Sequence, residues 1–196
     1  MTAPTPAANA VDDLEATLAQ TTTVLEGVGA DDWHRPTPCP DFDVHALVDH
    51  MLTWSTTYAD RVGVSSHPEH QHHLPGRHHA ADDGTGHHAA AVFEELAPRI
   101  LTGYRSDSAG SRELPLGIVL MDFLGHTWDL AVATGQNMRV PDSAVVRALD
   151  AGRSMLTPDS RGDSFGPEVE PASDATDLER LVAFLGRDPR WAAPAR

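Results

Sequence analysis

Asp122, His126 and Asp129 sit at i, i+4 and i+7 within LGIVLMDFLGHTWDLAVATG, residues 116–135. On a helix that spacing puts the three side chains in one row. The stretch around them is apolar nearly all the way round, so the row is costly to bury without partners. A metal ion is one such partner, and a carboxylate with an imidazole is half of a ligand set for it. The alternative is that Asp122 and His126 bond each other or face water. Spacing alone leaves both readings open.

The elements that must position this row read as helices. Apolar residues recur at three- and four-residue steps from Val11 to Val28, and Gly29 closes that segment. Asp12, Asp13 and Glu15 are expected in its first turn, at the positive end of the dipole. Residues 31–41 contain Pro36, Pro38 and Pro40 and predict a loop pinned by Trp33. Asp41 is the expected cap of a second helix over residues 42–62, with the stripe Val44, Leu47, Met51, Trp54 and Tyr58. Periodicity resumes over residues 86–104, where Pro98 predicts a kink or a boundary. Residues 106–114 read as a loop, with a short strand conceivable near 112–114. Gly135 ends the opening helix, Asp142 is expected to cap a shorter one, and Ser173 or Asp174 a last one over residues 178–185. The expected architecture is all-α: a single domain over residues 1–196, with four long helices and two shorter ones.

The twelve histidines need sorting. Advancing ~100° per residue, His50 lies about 40° from Trp54, at the edge of the apolar stripe. It is either a core histidine with a hydrogen bond or a ligand. His45 and Asp49 fall on the opposite, solvated side. Eight histidines crowd into residues 67–88, HPEHQHHLPGRHHAADDGTGHH, without periodicity. That His-rich loop reads as a solvated insertion or as a segment that collects metal. The lone Cys39 excludes an intramolecular disulfide and reads as a small buried residue that nothing activates.

Composition narrows the function classes. A formal net charge of −15 disfavours nucleic acid and anionic membrane surfaces as partners. No apolar run reads as long enough to span a bilayer, and the N-terminus lacks the basic start and apolar core of a signal peptide. The expected location is therefore cytoplasmic. All fourteen basic residues are Arg, which with the abundant Ala, Gly and Pro suggests a GC-rich genome. There is no phosphate-binding glycine loop and no G-x-S-x-G elbow.

Three stretches, TPCPDFDVHALVDHM, LGHTWDLAVATGQ and SFGPEVE followed by LERLVAFLGRDP, occur in order along nearly the whole chain. Together they resemble an actinobacterial metal-binding family related to the N-terminal domain of mycothiol-dependent maleylpyruvate isomerase, within the DinB/YfiT-like superfamily. The resemblance implies a four-helix bundle, with one or two additional short C-terminal helices, around a divalent metal. It implies His50, Asp122 and His126 as ligands, with Asp122 where the isomerase branch has Glu in an E-x-x-x-H pattern. Asp129, one turn past His126, is a candidate to hydrogen-bond a ligand histidine.

Two histidines and one carboxylate leave a fourth position open, as in catalytic zinc sites. The expected metal is Zn2+ or another divalent ion such as Ni2+. The expected partners are a small-molecule thiol, mycothiol in kind, and an electrophile, in S-transfer or isomerisation. Trp54, Phe123 and Trp128 are the candidate pocket walls. The alternatives are a non-catalytic metal-binding or stress-response protein, and a partner-binding helical domain whose site has decayed. Bundles of this kind often form homodimers, although no heptad seam marks one here.

Overall fold

The computed structural model describes residues 6–63, 86–157, 161 and 165–194, with side chains from residue 10 onward. The fold is all-α, as expected: α1 (Pro6–Glu26), α2 (Val44–Val62), α3 (Gly86–Arg105), α4 (Ala109–Glu113), α5 (Leu116–Thr134), α6 (Asp142–Met155) and α7 (Asp177–Phe184). The four long helices, α1, α2, α3 and α5, close a ring in which α1 packs on α3 and α5, and α2 packs on the same two. Helix α6 lies against α5 and α1, and α7 against α6 and α5. The centre is filled by large side chains with no exposure, among them Leu14, Leu52, Phe93, Ile100 and Leu124.

Helix α5 packs against α1, α2, α6 and α7. By length and composition it is apolar enough to cross a membrane, contrary to the sequence expectation, but 72% of that window is buried inside the protein. It is a core helix. Its C-terminus is built as expected: Gly135 adopts φ 74°, the left-handed conformation that favours glycine. The Gly135 and Gln136 amides then donate to the Val132 and Ala131 carbonyls, which is a Schellman closure. Arg35 Nε donates to the Ala133 carbonyl at 2.8 Å, satisfying another free acceptor at this end. A buried Thr21–Thr127 hydroxyl pair, 2.8 Å apart, joins α1 to α5.

Several helix ends differ from expectation. Helix α1 begins at Pro6, because proline is tolerated where no intrahelical N–H is needed. Asp12, Asp13 and Glu15 therefore lie beyond its first turn. Asp13 is buried and accepts from Ser143 and Arg147, tying α6 to α1. The cap of α2 is Asp43, not Asp41: residues 39–42 form a turn closed by the Pro36–Asp43 bridge, Asp43 itself is extended, and it accepts from Ala46 N at 2.8 Å. Residues 109–113 form a helix, not a loop or strand, capped by Ser108. Pro98 lies inside α3 without ending it. Asp142 stands in the first turn of α6 behind Pro141. Helix α7 starts after Thr176, which forms a capping box with Glu179 in place of a cap at Ser173 or Asp174. The His-rich stretch at 67–88 lies outside the described residues except for residues 86–88, which open α3.

Candidate metal centre

Helices α2 and α5 bring His50, Asp122 and His126 together: one ligand atom from each lies within 4.8 Å of the others. On α5 the one-turn spacing leaves His126 Nε2 3.5 Å from Asp122 Oδ1. On α2 the His50 ring stands 4.8 Å from the His126 ring, at 75° to it. All three side chains are half-buried, so the cluster is neither sealed in the core nor fully open to solvent.

The donor set suits a divalent ion with nitrogen and oxygen ligands. Zinc bonds of about 2.0–2.1 Å imply ligand atoms about 3.3 Å apart in a tetrahedral site. The Asp122–His126 pair already approaches that spacing, so the shorter Asp side chain reaches the cluster. The widest pair needs to close by at most about 1.5 Å, a movement within the reach of side-chain rotation.

A second observation concerns the other nitrogen of His126. Nδ1 is buried and makes no hydrogen bond, and its neighbour is Asp129 Oδ2 at 3.5 Å. A buried nitrogen without a partner is costly. The arrangement suits a metal-ligating histidine, with one nitrogen in the cluster and the other 3.5 Å from a carboxylate placed to accept its N–H. Asp129 is fully buried and pairs with Arg187, whose Nη2 donates to Oδ2 at 3.0 Å. Burial works against the Arg187 charge, but Asp129, with smaller contributions from Cys39 and Asp122, offsets it, and the guanidinium pKa is raised. The row seen in the sequence thus leads, through Asp129, to a buried cation, Arg187.

The walls are partly those expected. Trp54 stands at the mouth, 41% exposed, with its ring 6.3 Å from His50. Phe123 packs on Tyr58 and Phe93 beneath the cluster. Trp128 is buried about 200° around α5 from His126, on another face, so it does not line the site. Phe42 takes that place, with its ring 4.8 Å from His50 and 6.5 Å from His126. Cys39 is buried, and burial raises its thiol pKa, as expected of an unactivated cysteine.

The sequence profile of the mycothiol maleylpyruvate isomerase N-terminal domain matches residues 14–131. The chain belongs to this family. The matched segment contains His50, Asp122, His126 and Asp129 and stops before Arg187. Among similar members of the curated set are two uncharacterised proteins of Mycobacterium tuberculosis, from strains CDC 1551 / Oshkosh and ATCC 25618 / H37Rv. Each is 31% identical to this chain, over 85% of it and 91% of their own length. No solved structure matches this chain.

Sequence reasoning missed Arg187, Phe42 and the role of Tyr58. Arg187 was visible only as part of the GRDP motif, 58 residues from its partner Asp129. Tyr58 counted as an apolar stripe residue, although its hydroxyl donates to Asp122 Oδ2 at 3.0 Å. Burial, and then the adjacent Asp122, raise Tyr58 well above the ordinary phenol range.

The cluster predicts a pH dependence for the metal-free protein. Burial, then His126 and more weakly Arg187, hold His50 below its ordinary 6.5, while Asp122 opposes them. The folded chain thus resists a proton that the unfolded chain accepts near 6.5. Stability from this group is complete above that value and declines as pH falls below it, towards the depressed folded value. Denaturant midpoints of metal-free protein between about pH 7.5 and 5 are expected to show the decline, and a His50→Gln variant a shallower one.

Proposed function

We propose that this protein binds a divalent metal ion, zinc in class, through His50, Asp122 and His126. We propose further that the site serves a small-molecule thiol of the mycothiol kind, in S-transfer to an electrophile or in isomerisation. The observation that carries the reading is the convergence of three half-buried ligand side chains from α2 and α5. Family membership supports the thiol, since the family is named for a mycothiol-dependent isomerase domain. Three protein ligands also leave a coordination position for a small molecule.

A bound divalent ion supplies Lewis acidity, which lowers the pKa of a thiol at the open position. The chain's own residues prepare the site. The depressed pKa of His50 keeps its ring neutral, the form that ligates. Asp129, held by Arg187, stands 3.5 Å from His126 Nδ1, placed to accept its N–H when Nε2 ligates. Phe42 and Trp54 flank His50 with apolar surface against which a substrate body can lie.

The test is metal analysis of tag-free protein, with and without residues 67–85 replaced by a short Gly/Ser linker. Zinc near one equivalent per chain in both forms is the expected result. A large loss in the shortened, still folded form assigns the metal to the His-rich segment instead. Zinc-loaded protein is then offered thiols and a panel of electrophiles. Stoichiometric zinc with no conjugation or isomerisation would reduce the reading to a non-catalytic metal-binding protein.

A further inference from the structure

Tyr58 stands two helical turns beyond His50 on α2, and the contacts of the two with α5 show that the helices run in opposite senses. His50 meets His126, and Tyr58 meets Asp122, one turn earlier on α5. The two oxygens of Asp122 have separate partners. Oδ2 accepts the Tyr58 hydroxyl at 3.0 Å, while Oδ1 faces His126 Nε2 at 3.5 Å. An unrestrained carboxylate turns about its last bond and can present either oxygen or both. The tyrosine hydrogen bond removes that choice. The phenol is itself fixed, being 6% exposed and packed between the rings of Trp54 at 5.7 Å and Phe123 at 5.8 Å.

We propose that Tyr58 is a positioning residue for the metal centre, holding Asp122 so that it ligates through Oδ1 alone. The proposal rests on the metal-binding reading above. Packing does not require the bond, because the ring contacts hold Tyr58 in place without its hydroxyl. What the hydroxyl adds is direction for one carboxylate, the part that partners of metal ligands play elsewhere.

Cobalt(II) titration of wild type and Tyr58→Phe tests it. The variant keeps the ring, so its metal-free melting temperature reports whether the fold is intact. Cobalt affinity is expected to fall about tenfold. The visible cobalt absorption is expected to change in intensity, because the released carboxylate can bind with both oxygens. Unchanged affinity and spectrum overturn the proposal. A second measurement needs only the wild type. With two tyrosines in the chain, ionisation of either is readily seen in the ultraviolet. No tyrosinate absorption is expected on metal addition, whereas one equivalent would make Tyr58 a ligand and overturn its positioning role. Wild type that binds neither cobalt nor zinc removes the metal centre and this proposal together. That outcome differs plainly from metal that binds and ignores Tyr58→Phe.

Discussion

A His50→Ala, His126→Ala double variant is expected to lose bound zinc, from about one equivalent per chain to almost none. Both rings face one cluster from different helices, so neither replaces the other, and Asp122 alone holds a divalent ion weakly. The loss also reads out as stability. Metal at a thousand times its dissociation constant stabilises a folded protein by about 4 kcal/mol. For a chain of this size each kcal/mol moves the melting temperature by roughly 2–4 °C. Zinc is therefore expected to raise the wild-type melting temperature by roughly 8–16 °C and that of the double variant hardly at all. A double variant with unchanged zinc content and an unchanged shift would sink the assignment.

The second large effect comes from Arg187. Asp129 has no exposure, and the Arg187 side chain, itself 7% exposed, is the cation that pairs with it. An Arg187→Met variant keeps the side-chain volume and leaves the carboxylate buried beside a thioether. Breaking one half of a buried pair costs about 3–5 kcal/mol, here a melting temperature lower by roughly 6–20 °C. The double variant Asp129→Leu, Arg187→Met removes both charges and is expected to recover most of that loss, since an apolar replacement of a buried pair is often neutral. Its metal affinity stays about 10–100-fold weaker, because His126 Nδ1 has lost the carboxylate beside it. Calorimetry and metal titration on the same three proteins separate the two contributions. Recovered stability together with recovered affinity would show that Asp129 does not act on His126.

The pattern of legible and illegible residues has a physical basis. Asp122 and His126 were legible because helical spacing is local, and their polarity stands out on an apolar helix. His50 was legible as an inward-leaning histidine, and the family resemblance joined it to the other two. Arg187 was not, because its pairing with Asp129 depends on where a segment after the last helix returns. Tyr58 was hidden in its own apolar stripe: its ring packs as a stripe residue, while its hydroxyl does something periodicity does not register. Trp128 was misread for the converse reason, since closeness in sequence to His126 became opposition around the helix. The cap of α2 moved from Asp41 to Asp43 because a non-local bridge set the start of that helix.

The Arg187–Asp129 pair also constrains the order of events during synthesis. Asp129 leaves the ribosome 58 residues ahead of its cation. At 5–20 residues per second that interval lasts roughly 3–12 s. Throughout it, docking α5 would bury a carboxylate with no counter-charge, which opposes the closure that the apolar residues around it favour. Closing the bundle before the segment after α7 arrives therefore carries that penalty, and docking of Arg187 removes it. The same late contact that gives Asp129 its cation also fixes the carboxylate beside His126 Nδ1.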